Sequence, residues 1–154
     1  MAYETEARLT ALGVELPPVP APAANYVPFV TSGKLLFISG QIPVTPQGVQ
    51  YIGKVGREFS IEDGQKAAKI CAINILAIMK SAAEGFDRIG RIVKVTGFVN
   101  TAADFNEPQK VVNGASDFLV EILGERGRHA RSAVGVATLP FGVAVEVEAI
   151  VELA

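Results

Sequence analysis

Alternation of hydrophobic and polar positions predicts β-structure in three regions of the chain. Residues 26–44 hold two apolar arms around a turn at 31–34, and this arrangement predicts a β-hairpin. The stretch RIVKVTGFV (91–99) predicts a single strand. Segments 130–138 and 143–153 both alternate and are joined by a short loop, which predicts a second hairpin near the C-terminus.

Two other apolar segments follow the spacing of helices. One begins at Ser60, which together with Asp63 predicts a variant of the capping box. The other spans 106–124, with Asn106 as the candidate N-cap and Pro108 in the first turn. The elements therefore follow the order ββ-α-β-α-ββ. This order predicts an α+β domain in which the two main helices cover one face of a mostly antiparallel sheet.

The first twenty residues differ in pattern from the rest of the chain. Residues 4–13 predict a short helix that ends at Gly13, and the prolines of 15–24 prevent its continuation and predict an extended strap. A chain of 154 residues has the length of one ordinary domain. We therefore predict a single domain over 1–154, with 1–20 as an N-terminal extension.

The last predicted strand separates its residue types by face. Its valines share one side, and Glu146 and Glu148 share the other. Direct pairing across the predicted C-terminal hairpin places Gly135 opposite Glu146, so that Arg131 and Ala133 join the side of the glutamates. We therefore expect the helices to cover the valine face, and the face with arginine and glutamate to meet water or a partner subunit.

Composition and charge narrow the class of protein. Hydrophobic residues make up 49% of the chain and charged residues 19%, a balance that indicates a folded globular domain. The net charge of -2 gives no general attraction for nucleic acid or for an anionic membrane. The acidic N-terminus lacks the features of a signal peptide, and no apolar run approaches the roughly 20 residues of a membrane span. These observations predict a cytoplasmic protein.

The scarcity of soft metal ligands limits the chemistry. The chain has one cysteine, Cys71, and one histidine, His129, which excludes an intrachain disulfide and disfavours a zinc site within one chain. Cys71 lies on the apolar stripe of a helix and is interpreted as a core residue. His129 is interpreted as a loop residue at the entrance of the C-terminal hairpin. We therefore predict a function that needs no metal and no cofactor.

Arg131 is the strongest candidate for binding chemistry. Its planar guanidinium can form two parallel, charge-assisted bonds to a carboxylate, and its small neighbours Ala133 and Gly135 leave room for a compact ligand. Two other interpretations remain open. Arg131 can pair with a glutamate of the neighbouring strand, or it can join Arg126 and Arg128 in a short patch for RNA or another anion.

Several motifs occur in the order that characterises one known family. They are Tyr26, ISGQIP at 38–43, Phe98-Val99, Asp104-Phe105, Asn113, Arg131-Ser132, Leu139-Pro140 and Glu146-Val147-Glu148. Over about residues 20–152 this set resembles the RidA/YjgF family. Its members are described as reactive intermediate deaminases and, under an older name, as L-PSP endoribonucleases.

The resemblance implies a chorismate-mutase-like fold assembled as a homotrimer, with a site in each cleft between subunits. It also implies hydrolysis of small carboxylate-bearing enamines and imines, such as 2-aminoacrylate and 2-iminobutyrate, to 2-keto acids and ammonia. By motif position, Arg131 would hold the substrate carboxylate and Glu146 would position the attacking water. The binding residues implied in the same way are Tyr26, Ser39, Gly40, Asn113 and Ala133.

One position departs from the family pattern. Ala133 stands where many members carry a cysteine, so we expect no thiol-dependent activity. Carboxylate binding and imine hydrolysis need no thiol, and a glutamate acting on water typically contributes about 10²–10⁴-fold. Two alternatives remain open: a non-catalytic protein that binds 2-keto or amino acids in the same cleft, and an L-PSP-type endoribonuclease that uses the basic run 126–131.

Overall fold

The computed structural model describes residues 2–19, 21 and 24–154. Part of the strap predicted over 15–24 therefore lies outside the described residues. Within them, two long helices cover one face of a β-sheet, which confirms the predicted α+β architecture. In this same part of the chain, every helix is too short or too polar to cross a membrane.

The main sheet has five strands in the described part of the chain. Their bounds, from one edge of the sheet to the other, are Phe29–Ser32 (β1), Leu35–Gln41 (β2), Val145–Leu153 (β7), Ile89–Asn100 (β5) and Ala130–Val136 (β6). All neighbouring strands are antiparallel except β5 and β6, which run parallel. Two short strands, Val44–Thr45 (β3) and Gly48–Val49 (β4), form a separate ribbon.

The described α-helices are Ala2–Ala11 (α1), Ile61–Ala83 (α2) and Pro108–Leu123 (α3). The predicted capping box starts α2: the Asp63 amide donates to the Ser60 hydroxyl, and the Ser60 amide donates to the Asp63 carboxylate. At α3 the N-cap residue is Glu107 rather than the predicted Asn106, and its side chain makes no cap bond. Pro108 instead favours the start of α3 through its fixed φ.

The hydrophobic core lies between the sheet and the helices α2 and α3. The alternating valines of β7 face these helices and are fully buried, as predicted. Cys71 of α2 is buried with them, and its thiol lies 3.7 Å from the carbonyl oxygen of Val145. Burial raises the pKa of this thiol, which keeps it protonated. Cys71 is therefore a core residue, as its place on the apolar stripe predicted.

The predicted C-terminal hairpin is wrong. Strand β5 lies between β6 and β7, and Val95 of β5 pairs with Arg131 on one side and with Ala149 on the other. Helix α3 connects β5 to β6, so the chain crosses over the face of the sheet and returns parallel. Alternation identifies a strand and its two faces but does not identify the neighbouring strand. The short loop between β6 and β7 favoured a hairpin, although β6 pairs with β5.

The changed pairing also changes the face on which Arg131 lies. Arg131, Ala133 and Gly135 share the helix-covered side of the sheet with the buried valines. Glu146 and Glu148 lie on the opposite side. The prediction that the arginine and the glutamates share one face is therefore wrong, because it depended on the C-terminal hairpin.

Small residues on β5 and β6 allow α3 to approach the sheet closely. Gly97 and Ala133 are paired, and a Cβ added to Gly97 would lie 2.6 Å from Cγ1 of Val112 on α3. Ala133 is half-buried and packs against the hydrophobic core. The space beside Ala133 is therefore occupied by packing with the helix, in place of the open room predicted for a ligand.

Arg126 has a structural role. Its guanidinium donates to the carbonyl oxygens of Phe86 and Ile89 and to the hydroxyl of Thr5, each over 3.0 Å. These bonds tie α1 to the segment that enters β5. Arg128, by contrast, forms an exposed ion pair with Glu125. Arg126 is therefore not part of a surface patch for RNA or another anion.

Candidate functional site

Arg131 lies on the edge strand β6 and reaches towards α3. Its Nη1 donates to Asn113 Oδ1 over 2.9 Å and to Ser116 Oγ over 3.2 Å. Its Nη2 donates to the carbonyl oxygen of Gln109 over 3.3 Å. A guanidinium carries five N–H groups. Among the described residues, Nε–H and one Nη2–H of Arg131 remain without an acceptor, and Nε with Nη2 forms the edge that binds both oxygens of a carboxylate.

Ser39 and Gly40 interrupt the pairing of β2 with β7. The register between these strands shifts there, which makes a bulge. A Cβ added to Gly40 would overlap the carboxylate of Glu146, which lies 2.9 Å away at its Cδ atom. Because glycine has no Cβ, the Glu146 carboxylate can lie directly against the backbone of the bulge.

The segment that carries Tyr26 is tied to this bulge. The Ser39 hydroxyl donates to the Val27 carbonyl over 2.6 Å, and the Ser39 amide donates to the Pro28 carbonyl over 2.9 Å. The Tyr26 side chain is 61% exposed, so it can meet a ligand or a partner chain. Tyr26, Ser39 and Gly40 thus line one cavity, and Glu146 lies against Gly40.

The carboxyl group of Glu146 has altered acidity. Burial raises its pKa, and the neighbouring negative charge of Glu148 raises it further. A raised pKa makes the carboxylate a better proton acceptor at neutral pH than an ordinary surface glutamate. Proton transfer to and from a positioned group is the work of a general acid or base. Glu146 is therefore suited to take a proton from a water molecule.

One chain does not bring Arg131 and Glu146 together. They lie on opposite faces of the sheet, and β5 separates their strands. Two strand spacings alone separate them by roughly 10 Å. The predicted site residues thus form two clusters within one chain, with Arg131 and Asn113 in the first cluster and Glu146 with the bulge in the second.

A cavity of about 420 Å³ opens beside the bulge. Tyr26, Ser39 and Gly40 form part of its wall. The rest of its wall is mainly apolar and includes Pro17, Pro18, Val19, Pro28, Ile42, Val44 and Ile78. The described part of the N-terminal extension therefore forms one side of a cavity next to the predicted binding residues.

Ser116 and His129 are site residues that the sequence interpretation missed. Ser116 Oγ lies 2.9 Å from His129 Nε2, and His129 Nδ1 lies 2.6 Å from the Gly127 carbonyl oxygen. Burial lowers the pKa of His129, and the positive charge of Arg131 acts in the same direction. His129 lies in the loop before β6, as interpreted from the sequence, and these contacts hold its ring in place.

The spacing of these residues contained a signal. Ser116 follows Asn113 by three positions on α3, which places both on the same helix face. His129 precedes Arg131 by two positions, the separation that places side chains of an extended segment on one side.

A hollow of about 240 Å³ is lined by Ser116, Asp117, Val120, Arg128, His129 and Arg131.

Metal ligands do not gather in the part of the chain that the structure describes. Within residues 2–19, 21 and 24–154, no three side chains of histidine, cysteine, aspartate or glutamate form a possible metal site. The described polar groups instead offer hydrogen bonds and one guanidinium edge to a ligand.

Comparisons with known proteins cover nearly the whole chain. A family model described as "YjgF/chorismate_mutase-like, putative endoribonuclease" matches residues 6–153. Protein TCP17 of Trypanosoma cruzi is 48% identical over 148 residues, which cover 96% of this chain and 92% of that protein. The 2-iminobutanoate/2-iminopropanoate deaminase of Salmonella typhimurium is 36% identical over 132 residues, which cover 85% of this chain and 89% of that protein.

A solved structure extends this similarity to the fold. The crystal structure of the protein Atu1372 from Agrobacterium tumefaciens superposes with a TM-score of 0.92 and 45% sequence identity. The match covers 99% of this chain and 96% of that chain. Sequence and fold thus agree on one set of relatives, and some of these are named as deaminases.

Proposed function

Because the chain belongs to the RidA/YjgF family, we propose that it is a deaminase that hydrolyses small carboxylate-bearing enamines and imines to 2-keto acids and ammonia without a metal. The observation that carries the proposal is the Nε and Nη2 edge of Arg131, on which Nε–H and one Nη2–H have no acceptor among the described residues. Asn113, Ser116 and Gln109 hold the rest of the guanidinium, so this edge is fixed before a substrate carboxylate arrives.

The reaction needs a second group that activates water. In the proposed step, Glu146 removes a proton from water as the water oxygen attacks the imine carbon, and the imine nitrogen takes up a proton. That proton comes from Glu146, which is thereby restored, and the hydroxyl proton of the resulting carbinolamine then moves to the amine nitrogen. The C–N bond then breaks, ammonia leaves with the bonding electrons, and the carbon becomes a carbonyl. The raised pKa of Glu146 supports this role in proton transfer.

We propose that the site forms between two copies of the chain, within a homotrimer. Arg131 and Glu146 lie on opposite faces of one sheet, so a small ligand that contacts both needs one residue from each of two chains. The open face that carries Glu146 also presents Phe37 and Val134, which are 41% and 43% exposed. Exposed apolar side chains on such a face are typical of a surface that a partner subunit covers.

The proposal is tested by generating 2-iminobutanoate in the cuvette with an amino-acid oxidase in excess. The release of 2-ketobutanoate is followed with and without the protein, because the imine also hydrolyses in water. We expect acceleration by the wild type and none by the Arg131→Ala variant. Equal rates with wild type and Arg131→Ala would contradict the proposal. Saturable binding of 2-ketobutanoate without turnover of the imine would identify a binding protein instead.

A further inference from the structure

The hydrogen bond between Ser116 and His129 takes no part in the chemical steps of imine hydrolysis, in which Ser116 serves only to hold Arg131. Its Oγ–Nε2 distance is 2.9 Å, and both side chains line the 240 Å³ hollow beside Arg131. We propose that this pair is a second hydrolytic centre for small acyl esters, in which Ser116 is the nucleophile and His129 is its general base.

The positions of the protons follow from the partners of each atom. His129 Nδ1 lies 2.6 Å from the Gly127 carbonyl oxygen, which only accepts, so Nδ1 carries a proton. In the neutral ring, Nε2 is then an acceptor. Arg131 Nη1 donates to Ser116 Oγ over 3.2 Å, so the hydroxyl proton of Ser116 points to His129 Nε2. This is the arrangement in which a serine can lose its proton to a base.

The surroundings keep the base in its neutral form. Burial lowers the pKa of His129 more than the hydrogen bond to the Gly127 carbonyl raises it, and the charge of Arg131 also lowers it, so the surroundings favour the neutral ring. The other charged groups of the hollow are Arg128, next to His129 in the chain, and Asp117 on α3. Arg128 and Asp117 carry opposite charges.

The arrangement supplies the parts of a nucleophilic site. A nucleophile contacts a base, and a third group fixes the orientation of the base. Here the Gly127 carbonyl holds the position that a carboxylate has in many serine hydrolases. The Arg131 guanidinium lies beside Ser116 Oγ and provides positive charge where the oxyanion of an acyl transfer develops.

The reaction occurs in two balanced steps. Ser116 Oγ attacks the ester carbonyl carbon while its proton moves to His129 Nε2, and the tetrahedral oxyanion then collapses. The C–O bond to the alcohol breaks, and the alcohol leaves with the proton from Nε2. A water molecule then gives a proton to Nε2 and attacks the carbonyl carbon of the acyl-serine. The C–Oγ bond breaks, Nε2 returns the proton to Ser116 Oγ, and the carboxylic acid leaves.

The size and lining of the hollow indicate a small substrate. Its volume of about 240 Å³ lies below the 300–1,000 Å³ range that is usual for drug-sized ligands. Val120 supplies an apolar surface, and Arg128 and Arg131 lie at the same opening. Short acyl groups such as acetyl and butyryl therefore fit this site, with the carbonyl oxygen directed to Arg131.

The test uses p-nitrophenyl acetate and a serine-reactive fluorophosphonate with the full-length protein. We expect the wild type to release p-nitrophenol and the fluorophosphonate to label Ser116, as located by peptide mass spectrometry. The Ser116→Ala and His129→Gln variants should lose about 100-fold or more of the enzymatic rate. Ser116→Cys should retain acylation, because a thiol is also a nucleophile. Ser132→Ala, on the other face of β6, is the matched control and should react like the wild type.

The single histidine of the chain gives a readout that does not depend on turnover. The ring-nitrogen NMR signals belong to His129 alone, and we expect a neutral ring protonated at Nδ1 at pH 7. A ring protonated at Nε2, equal hydrolysis by wild type and Ser116→Ala, or labelling at another residue would each overturn the proposal. Ester hydrolysis and imine hydrolysis are measured in separate assays, so either activity can be absent while the other is present.

Discussion

Arg131 of the edge strand and Asn113 of helix α3 are joined by a hydrogen bond of 2.9 Å between Nη1 and Oδ1. This bond links the two elements that the crossover brings together. It turns the Nη1 side of the guanidinium towards the helix, and among the described residues Nε–H and one Nη2–H keep no acceptor. Under the proposed function, the fold itself thereby holds the anchor for the substrate carboxylate in place.

Arg131→Lys tests whether the shape of the cation matters as well as its charge. A lysine keeps the positive charge but cannot form the two parallel bonds of a guanidinium. Loss of a hydrogen bond to a charged group costs about 1.5–3 kcal/mol, so we expect kcat/KM for 2-iminobutanoate to fall about 10–100-fold. Steady-state kinetics of ketobutanoate release measure this effect. Full activity in Arg131→Lys would show that no bidentate carboxylate contact is made.

Asn113→Ala should weaken substrate binding without changing the rate of the chemical step. Asn113 contacts the anchor and not the reacting atoms, so we expect KM to rise about 10-fold while kcat changes little. The matched control is Glu121→Ala, an exposed change on the same helix. If kcat falls and KM stays constant, Asn113 acts on the reaction and not on substrate binding.

The pH dependence of the reaction should report Glu146. A base acts in its ionised form, so kcat/KM should decrease as the pH falls through the pKa of Glu146. Burial raises this pKa above the ordinary value of 4.5, and the charge of Glu148 adds to the rise. Removing that charge by Glu148→Gln lowers the pKa, so the acid limb should move to lower pH. The measurement is a pH profile with the oxidase in excess throughout, and a limb that does not move would exclude Glu146 as the titrating base.

Arg126→Met should destabilise the fold, whereas Arg128→Met should not. Arg126 donates to two carbonyl oxygens and to Thr5, and its loss leaves these acceptors without their charged donor. We expect the free energy of unfolding to fall by about 2–3 kcal/mol. Arg128 forms an exposed ion pair, whose removal changes stability by about 0–1 kcal/mol. Urea unfolding at a fixed protein concentration compares the two variants, and equal stabilities would contradict the structural role of Arg126.

Local features of the fold were accessible from the sequence because they depend on nearby residues. The capping box needs only Ser60 and Asp63, which are three positions apart. The buried valine face of β7 follows from alternation alone. The pairing of β6 was not accessible in this way, since two alternating strands with matching patterns are compatible with both a hairpin and a crossover.

The predicted site was affected by the same limit. Within each cluster, Arg131 contacts Asn113 and Glu146 lies against Gly40. Their division between two faces depends on the position of β5, which no local pattern specifies. The contact between Ser116 and His129 was missed because it joins a helix to a loop that are distant in sequence.

Mixing two inactive variants tests whether the imine site is shared between subunits. Arg131→Ala keeps the cluster of Glu146, and Glu146→Gln keeps the cluster of Arg131, so each variant supplies the half that the other lacks. When trimers assemble at random from equal amounts of the two variants, about half of the sites receive an intact Arg131. About half of those also receive an intact Glu146, so about a quarter of all sites should be complete. We therefore expect co-refolded mixtures to recover about a quarter of the wild-type rate, measured as ketobutanoate release at equal protein concentration. Separately assembled variants that are mixed without exchange provide the control and should stay inactive. If the co-refolded mixture forms mixed trimers yet remains inactive, the two residues do not meet across subunits. A residue other than Glu146 must then activate the water.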